Sequence, residues 1–96
     1  MRMMLKAQLD TPTATKGIQD GSLPSQLQSV LETLKPEAAY FGPGGGARTC
    51  YLVFDMADPS QLPKISEPFF ALNANVEIFP VMDQTDLQKG LSSLTG

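Results

Sequence analysis

No histidine occurs anywhere in the chain. That absence removes the commonest general base, every nucleophilic triad that uses His, and His ligation of a metal or haem. Cysteine occurs once, at Cys50, so no internal disulfide can form. A single cysteine fits a reducing cytosol, and the chain is expected to be cytoplasmic. No apolar run approaches the roughly 18 residues that would span a bilayer. The N-terminal MRMMLKAQLD has an apolar core too short for a secretory leader, and Lys6 interrupts it. Basic clusters are missing as well: Arg2, Lys6, Lys16, Lys35, Arg48, Lys64 and Lys89 are nowhere adjacent, and ten acids outweigh these seven bases for a net charge of −3. Nucleic acid and anionic membranes are therefore not expected as partners. The acids are scattered and have no His or Cys companions, so no metal site and no cofactor is expected.

What remains is a chain of 96 residues, 42% of them hydrophobic, which is one small domain rather than a disordered segment. A chain of this size buries roughly 60–65% of its unfolded surface, so a partner subunit would add needed stability. The organising stretch is Ala47 to Leu72. A strongly apolar run, Cys50-Tyr51-Leu52-Val53-Phe54, hands over at once to a helix start at Asp58-Pro59-Ser60-Gln61. Asp58 as cap, Pro59 at the first position and Gln61 at the third form a capping box.

Other segments supply partners for this stretch. Met1 to Leu9 alternates, with Met1, Met3, Leu5, Ala7 and Leu9 on one face, which predicts strand 1. Thr11 can cap a first helix, with Pro12 behind it. Asp20-Gly21 closes that piece, and Ser22-Leu23-Pro24 restarts it. Leu27, Val30, Leu31 and Leu34 then form one stripe on a 3.6-residue period, up to a stop at Lys35-Pro36. Glu37 to Phe41 and Ala47 to Met56 flank the turn Gly42-Pro43-Gly44-Gly45-Gly46, the pattern of a hairpin with a flexible tip. A second helix falls within 59–71, shortened by Pro63 and Pro68, and Asn73 ends it. Asn75 to Met82 is strand 4, placed at a sheet edge by Pro80. A last helix follows, with Asp83 and Asp86 at its start and Leu87, Leu91 and Leu94 on one face.

The element order is β-α-β-β-α-β plus a terminal helix, the ferredoxin-like α+β arrangement of a four-stranded antiparallel sheet with helices on one face. YLVFDMADPSQL (51–62) and EPFFALNANVEIFPVM (67–82) resemble the dimeric α+β barrel superfamily, in particular small muconolactone-isomerase-like proteins and uncharacterised relatives. The resemblance implies one α+β barrel domain over residues 1–96 and a homodimer whose sheets pair across a two-fold axis. Some members are isomerases, oxygenases or haem enzymes. No catalytic motif of such an enzyme stands at a matching position here, and the haem branch lacks its histidine.

Chemistry-bearing candidates are few. Gly42 to Ala47 fits G-x-G-x-x-A, but a dinucleotide site needs a helix after the turn, and a strand follows. Cys50, with Arg48 two residues away, is read either as an activated thiol or as a small buried hydrophobe, the ordinary fate of a lone Cys in a strand. The polar strand faces are the better lead. With strand order 4-1-3-2, Lys6, Tyr51 and Glu77 share one face. They are expected to bind a small molecule between the two sheets, with Val53 and Phe79 beside them. In an enzyme, Glu77 would be the base and Lys6 would stabilise an oxyanion. The plainer reading is a Lys6–Glu77 cross-strand pair at a dimer seam.

Overall fold

The computed structural model describes residues 1–95. Its elements are β1 (Arg2–Gln8), α1 (Thr11–Asp20), α2 (Ser22–Leu34), β2 (Ala38–Gly42), β3 (Thr49–Asp55), α3 (Leu62–Phe70), β4 (Asn75–Pro80) and α4 (Gln84–Thr95). The strands form one antiparallel sheet in the order β2-β3-β1-β4, the topology of a ferredoxin-like α+β fold with an added C-terminal helix. Strands β3 and β1 are the two interior strands, and β1 alternates most cleanly. Met3, Leu5 and Ala7 are buried, while Arg2, Met4, Lys6 and Gln8 are half-buried on the opposite face.

The core lies between that inner sheet face and the layer of α1, α2 and α3. Leu5, Leu52, Phe54 and Phe69 are fully enclosed there, and Leu27, Val30, Leu31, Leu34, Leu62 and Ile65 pack against them. The helical stripe of α2 thus faces the sheet as its spacing requires. Enclosing a side chain of this size contributes roughly 1.5–3 kcal/mol.

The expected joint at Gly21 is present. Gly21 adopts φ +80°, ends α1 and precedes α2 without interruption. Two boundary readings need correction. Thr11 is not the cap of α1; the carboxylate of Asp10 accepts the Thr13 backbone N–H at 3.1 Å and the Thr13 hydroxyl at 2.7 Å. Asp is the stronger acceptor, and one residue earlier its oxygen reaches the third free N–H of the helix. Strands β1, β3 and β4 are also shorter than the segments read for them, and β2 is shifted by one residue. Strand β4 stops at Pro80, which supplies no N–H to continue the ladder, so Val81 and Met82 lie outside it. The capping box at Asp58 forms, with Asp58 accepting from Ser60 N and Gln61 Oε1 accepting from Asp58 N, but it first winds a 3-10 turn, Pro59–Gln61, ahead of α3. Asn73, at φ 57°, takes the left-handed position expected after α3.

Gly17 lies inside α1. It is buried, and a Cβ there would lie 2.9 Å from Leu23 Cβ, so it permits the close approach of α2 to α1.

Candidate functional site

One row of the sheet carries the chemistry. Lys6 stands opposite Tyr51 on β3 and opposite Glu77 on β4, and Tyr51 stands opposite Tyr40 on β2. Antiparallel pairing puts directly opposed side chains on one face, so Tyr40, Tyr51, Lys6 and Glu77 form a line across all four strands. The next row towards the start of β1 is Ala38, Val53, Met4 and Phe79. No helix covers this face among the described residues: the apolar side chains of α2 and α3 are spent on the opposite one. The predicted trio therefore shares one row of this face, with an apolar row beside it.

Lys6 Nζ lies 3.9 Å from Glu77 Oε2, and the two side chains are 42 and 65% exposed. A pair this long and this wet adds little to stability. Glu77 is not desolvated by its own chain, so the burial that an enzymatic base would want is not supplied by one copy.

The Tyr51 side chain reaches the hairpin turn. Its hydroxyl lies against Gly44, where even a Cβ would be 2.0 Å from the phenol oxygen. The Gly44 carbonyl accepts from Gln8 Nε2 at 3.1 Å and from Thr49 Oγ1 at 3.0 Å. The tip expected to be flexible is instead a 3-10 turn, Gly44–Gly46, folded over the end of the sheet and hydrogen-bonded to it. It buries Thr49, the buried polar residue of this face. The glycines allow this: Gly45 and Gly46 sit at φ +70° and +82°, and a side chain at Gly44 would strike Tyr51. Sequence reading missed these contacts, although a run of three glycines before an outward Tyr and Thr was the available signal. Strand β3, not a helix, follows the turn, so the dinucleotide arrangement is not built.

At the other end of the face, Arg2 joins three acids. Its Nε donates to Glu37 at 2.6 Å and its Nη1 to Asp83 Oδ2 at 3.0 Å, with Asp86 Oδ2 at 3.7 Å. Asp83 is held below the usual carboxylate range, first by the Asp86 backbone N–H and then by Arg2. These charges fasten the start of α4 to β1.

Cys50 is the buried hydrophobe of the two readings. It is 3% exposed, it faces the core, and burial pushes its thiol up to about 11. Arg48, the proposed activator, points outward and reaches Thr15 Oγ1 at 3.3 Å. Among the described residues no three His, Cys, Asp or Glu side chains group as metal ligands, and no helix is long and apolar enough to cross a membrane.

A separate concavity lies on the helical side. A groove of about 530 Å³ runs between α2 and α3, lined by Val30, Leu34, Ile65 and Leu72, with Asp55, Gln61 and Lys64 among its polar groups. Two of those polar groups are already engaged. Asp55 holds the N-terminal ammonium at 2.8 Å, and Gln61 closes the capping box. The sheet face, by contrast, sets a cation, a carboxylate and a phenol in one row, although it becomes a chamber only when something faces it.

No curated protein matches this sequence. Residues 1–95 match the family described as "Domain of unknown function (DUF3303)", and the chain belongs to that family.

Proposed function

We propose that this chain is a homodimeric α+β barrel module that binds a small molecule between two apposed sheet faces. The observation that carries the reading is the Tyr51–Lys6–Glu77 row, in register across three strands on a helix-free face, beside the apolar row Val53–Met4–Phe79. A few convergent polar groups against an apolar wall is the make-up of a small-molecule site. One sheet is only the floor. A second copy, related by a two-fold axis, would place the same floor above it and turn an open face into a cavity. The resemblance to dimeric α+β barrel proteins supports the same reading.

The ligand suited to this site has an apolar body with one or two hydrogen-bonding groups. Lys6 would meet an anionic or carbonyl oxygen, and Glu77 a donor. The alternative, a cofactor-independent isomerase of the muconolactone type, would use Glu77 as base. The exposed Lys6–Glu77 pair favours binding over proton abstraction.

The test is a thermal-shift screen of metabolites followed by three variants. Lys6→Met, Tyr51→Phe and Glu77→Gln should each weaken the best hit by roughly tenfold, the cost of one lost polar contact, while the dimer stays folded. Wild-type affinity in all three would reduce the row to a seam. Catalysed exchange of an acidic proton in a lactone would move the reading to the enzyme.

A further inference from the structure

Helix α4 buries none of its residues. Leu87, Leu91 and Leu94 are 43, 53 and 79% exposed, and they fall at i, i+4 and i+7, a single stripe. The helix has 12 residues and includes Gly90, Ser92, Ser93 and Thr95. A helix of that length and composition is marginal in water unless one face is packed. Its own chain does not supply the cover. The radius of gyration is 15.5 Å and the longest axis 57 Å, against roughly 12–13 Å expected for a compact chain of this length. The root is clamped in that outward course. Val81 N donates to Arg2 O at 3.1 Å, Arg2 Nη1 holds Asp83, and Asp83 and Asp86 cap each other's backbone at 2.8 and 3.2 Å.

Exposed apolar residues follow one another along the chain from the sheet into this helix. Phe79 ends the apolar row, Met82 follows at 64% exposure, and Leu87 begins the stripe. The sheet alone makes a small interface. Four strands about 4.8 Å apart and about six residues deep give a footprint of roughly 350–400 Å², where a stable dimer buries about 800 Å² per partner. Helix α4, which follows directly on the edge strand β4, offers a further apolar strip about 18 Å long.

We propose that α4 packs on a second copy of this chain, so that the dimer interface is the open sheet face extended by the Leu87–Leu91–Leu94 stripe. This rests on the homodimer reading above and adds its decisive element: the sheet faces hold together because each copy's α4 embraces the other. The arrangement is isologous, each α4 giving to its mate what it receives.

The test uses the full chain carrying Leu87→Gln, Leu91→Gln and Leu94→Gln together. These side chains bury nothing within their own chain, so the variant keeps its fold, checked by circular dichroism. Sedimentation should show the dimer dissociation constant rising by roughly a hundredfold or more. An unchanged constant overturns the role of α4 and leaves a sheet-face dimer standing; a monomeric wild type overturns both. A second measurement fixes the placement. A spin label on Gln88→Cys, with Cys50 too buried to react, is mixed with unlabelled ¹⁵N chains. Amides of Met4, Val53 and Phe79 in the isotope-labelled copy should bleach. Bleaching confined to Val30, Leu34 and Ile65 of the α2–α3 groove, or no bleaching, contradicts the proposal.

Discussion

At the scale of single residues, two glycines and the cysteine make firm predictions. Gly44→Ala puts a methyl group into the Tyr51 hydroxyl. Overpacking of that kind costs about 1–3 kcal/mol, and it should also displace Tyr51 from the row, so thermal melting and ligand affinity should fall together. Gly21→Val meets open space, yet at φ +80° its branched Cβ is strained; a loss of about 1–2 kcal/mol is expected from denaturant melts. Gly21 was legible because Asp-Gly-Ser between two helical patterns marks a left-handed joint. Gly17 and Gly44 were not, because what they accommodate, Leu23 and Tyr51, is brought near by packing rather than by the local pattern. Cys50 sets an alkaline limit. Burial raises its folded-state thiol from an ordinary 9.0 to about 11, so above pH 9 the unfolded chain loses the proton first. The contribution of this thiol is full below that pH and is lost up to about pH 11. Melting curves of Cys50→Ala should fall less steeply over this window than those of the wild type; parallel curves would contradict the buried-thiol reading.

Among the elements, β1 was the most readable, since a strand buried on one face shows its period directly and a one-residue slip would expose the whole hydrophobic set. The capping box at Asp58 was equally plain, its partners being three residues apart. Its contribution depends on pH in a definite direction. Asp58 is held below its usual value, first by its hydrogen bond to Ser60, and Asp10 likewise by Thr13. A depressed carboxylate stabilises the fold above the ordinary carboxylate range and loses that effect as pH falls through the folded value. Asp58→Ala should therefore lower the melting temperature at pH 7 and flatten the acid limb below about pH 4. An unaltered acid limb would show that the cap is not formed in solution. The hairpin was misjudged for the opposite reason. Glycines read as freedom in the sequence, but here they let a turn close on Gln8, 36 residues away from Gly44.

For the whole molecule, the order of elements was enough to give the strand order and the helix-covered face, because a right-handed β-α-β connection leaves few alternatives. The clamp of Arg2 on Asp83, 81 residues apart, left no trace in any local window. The free state of α4 was not legible either, since an amphipathic stripe looks the same whether its cover comes from its own chain or from another. The face left open, with Met4, Val53 and Phe79 among polar groups, predicts association. Light scattering at micromolar concentration should return twice the chain mass of 10.3 kDa, and a clean monomer would remove the barrel. The central claim, that this face is a binding site, is tested most directly by soaking crystals in a metabolite cocktail and mapping the difference density. Density between two sheets, against Lys6, Tyr51 and Glu77, is the predicted result; a ligand seated instead in the α2–α3 groove, with the sheet face bare, would contradict it.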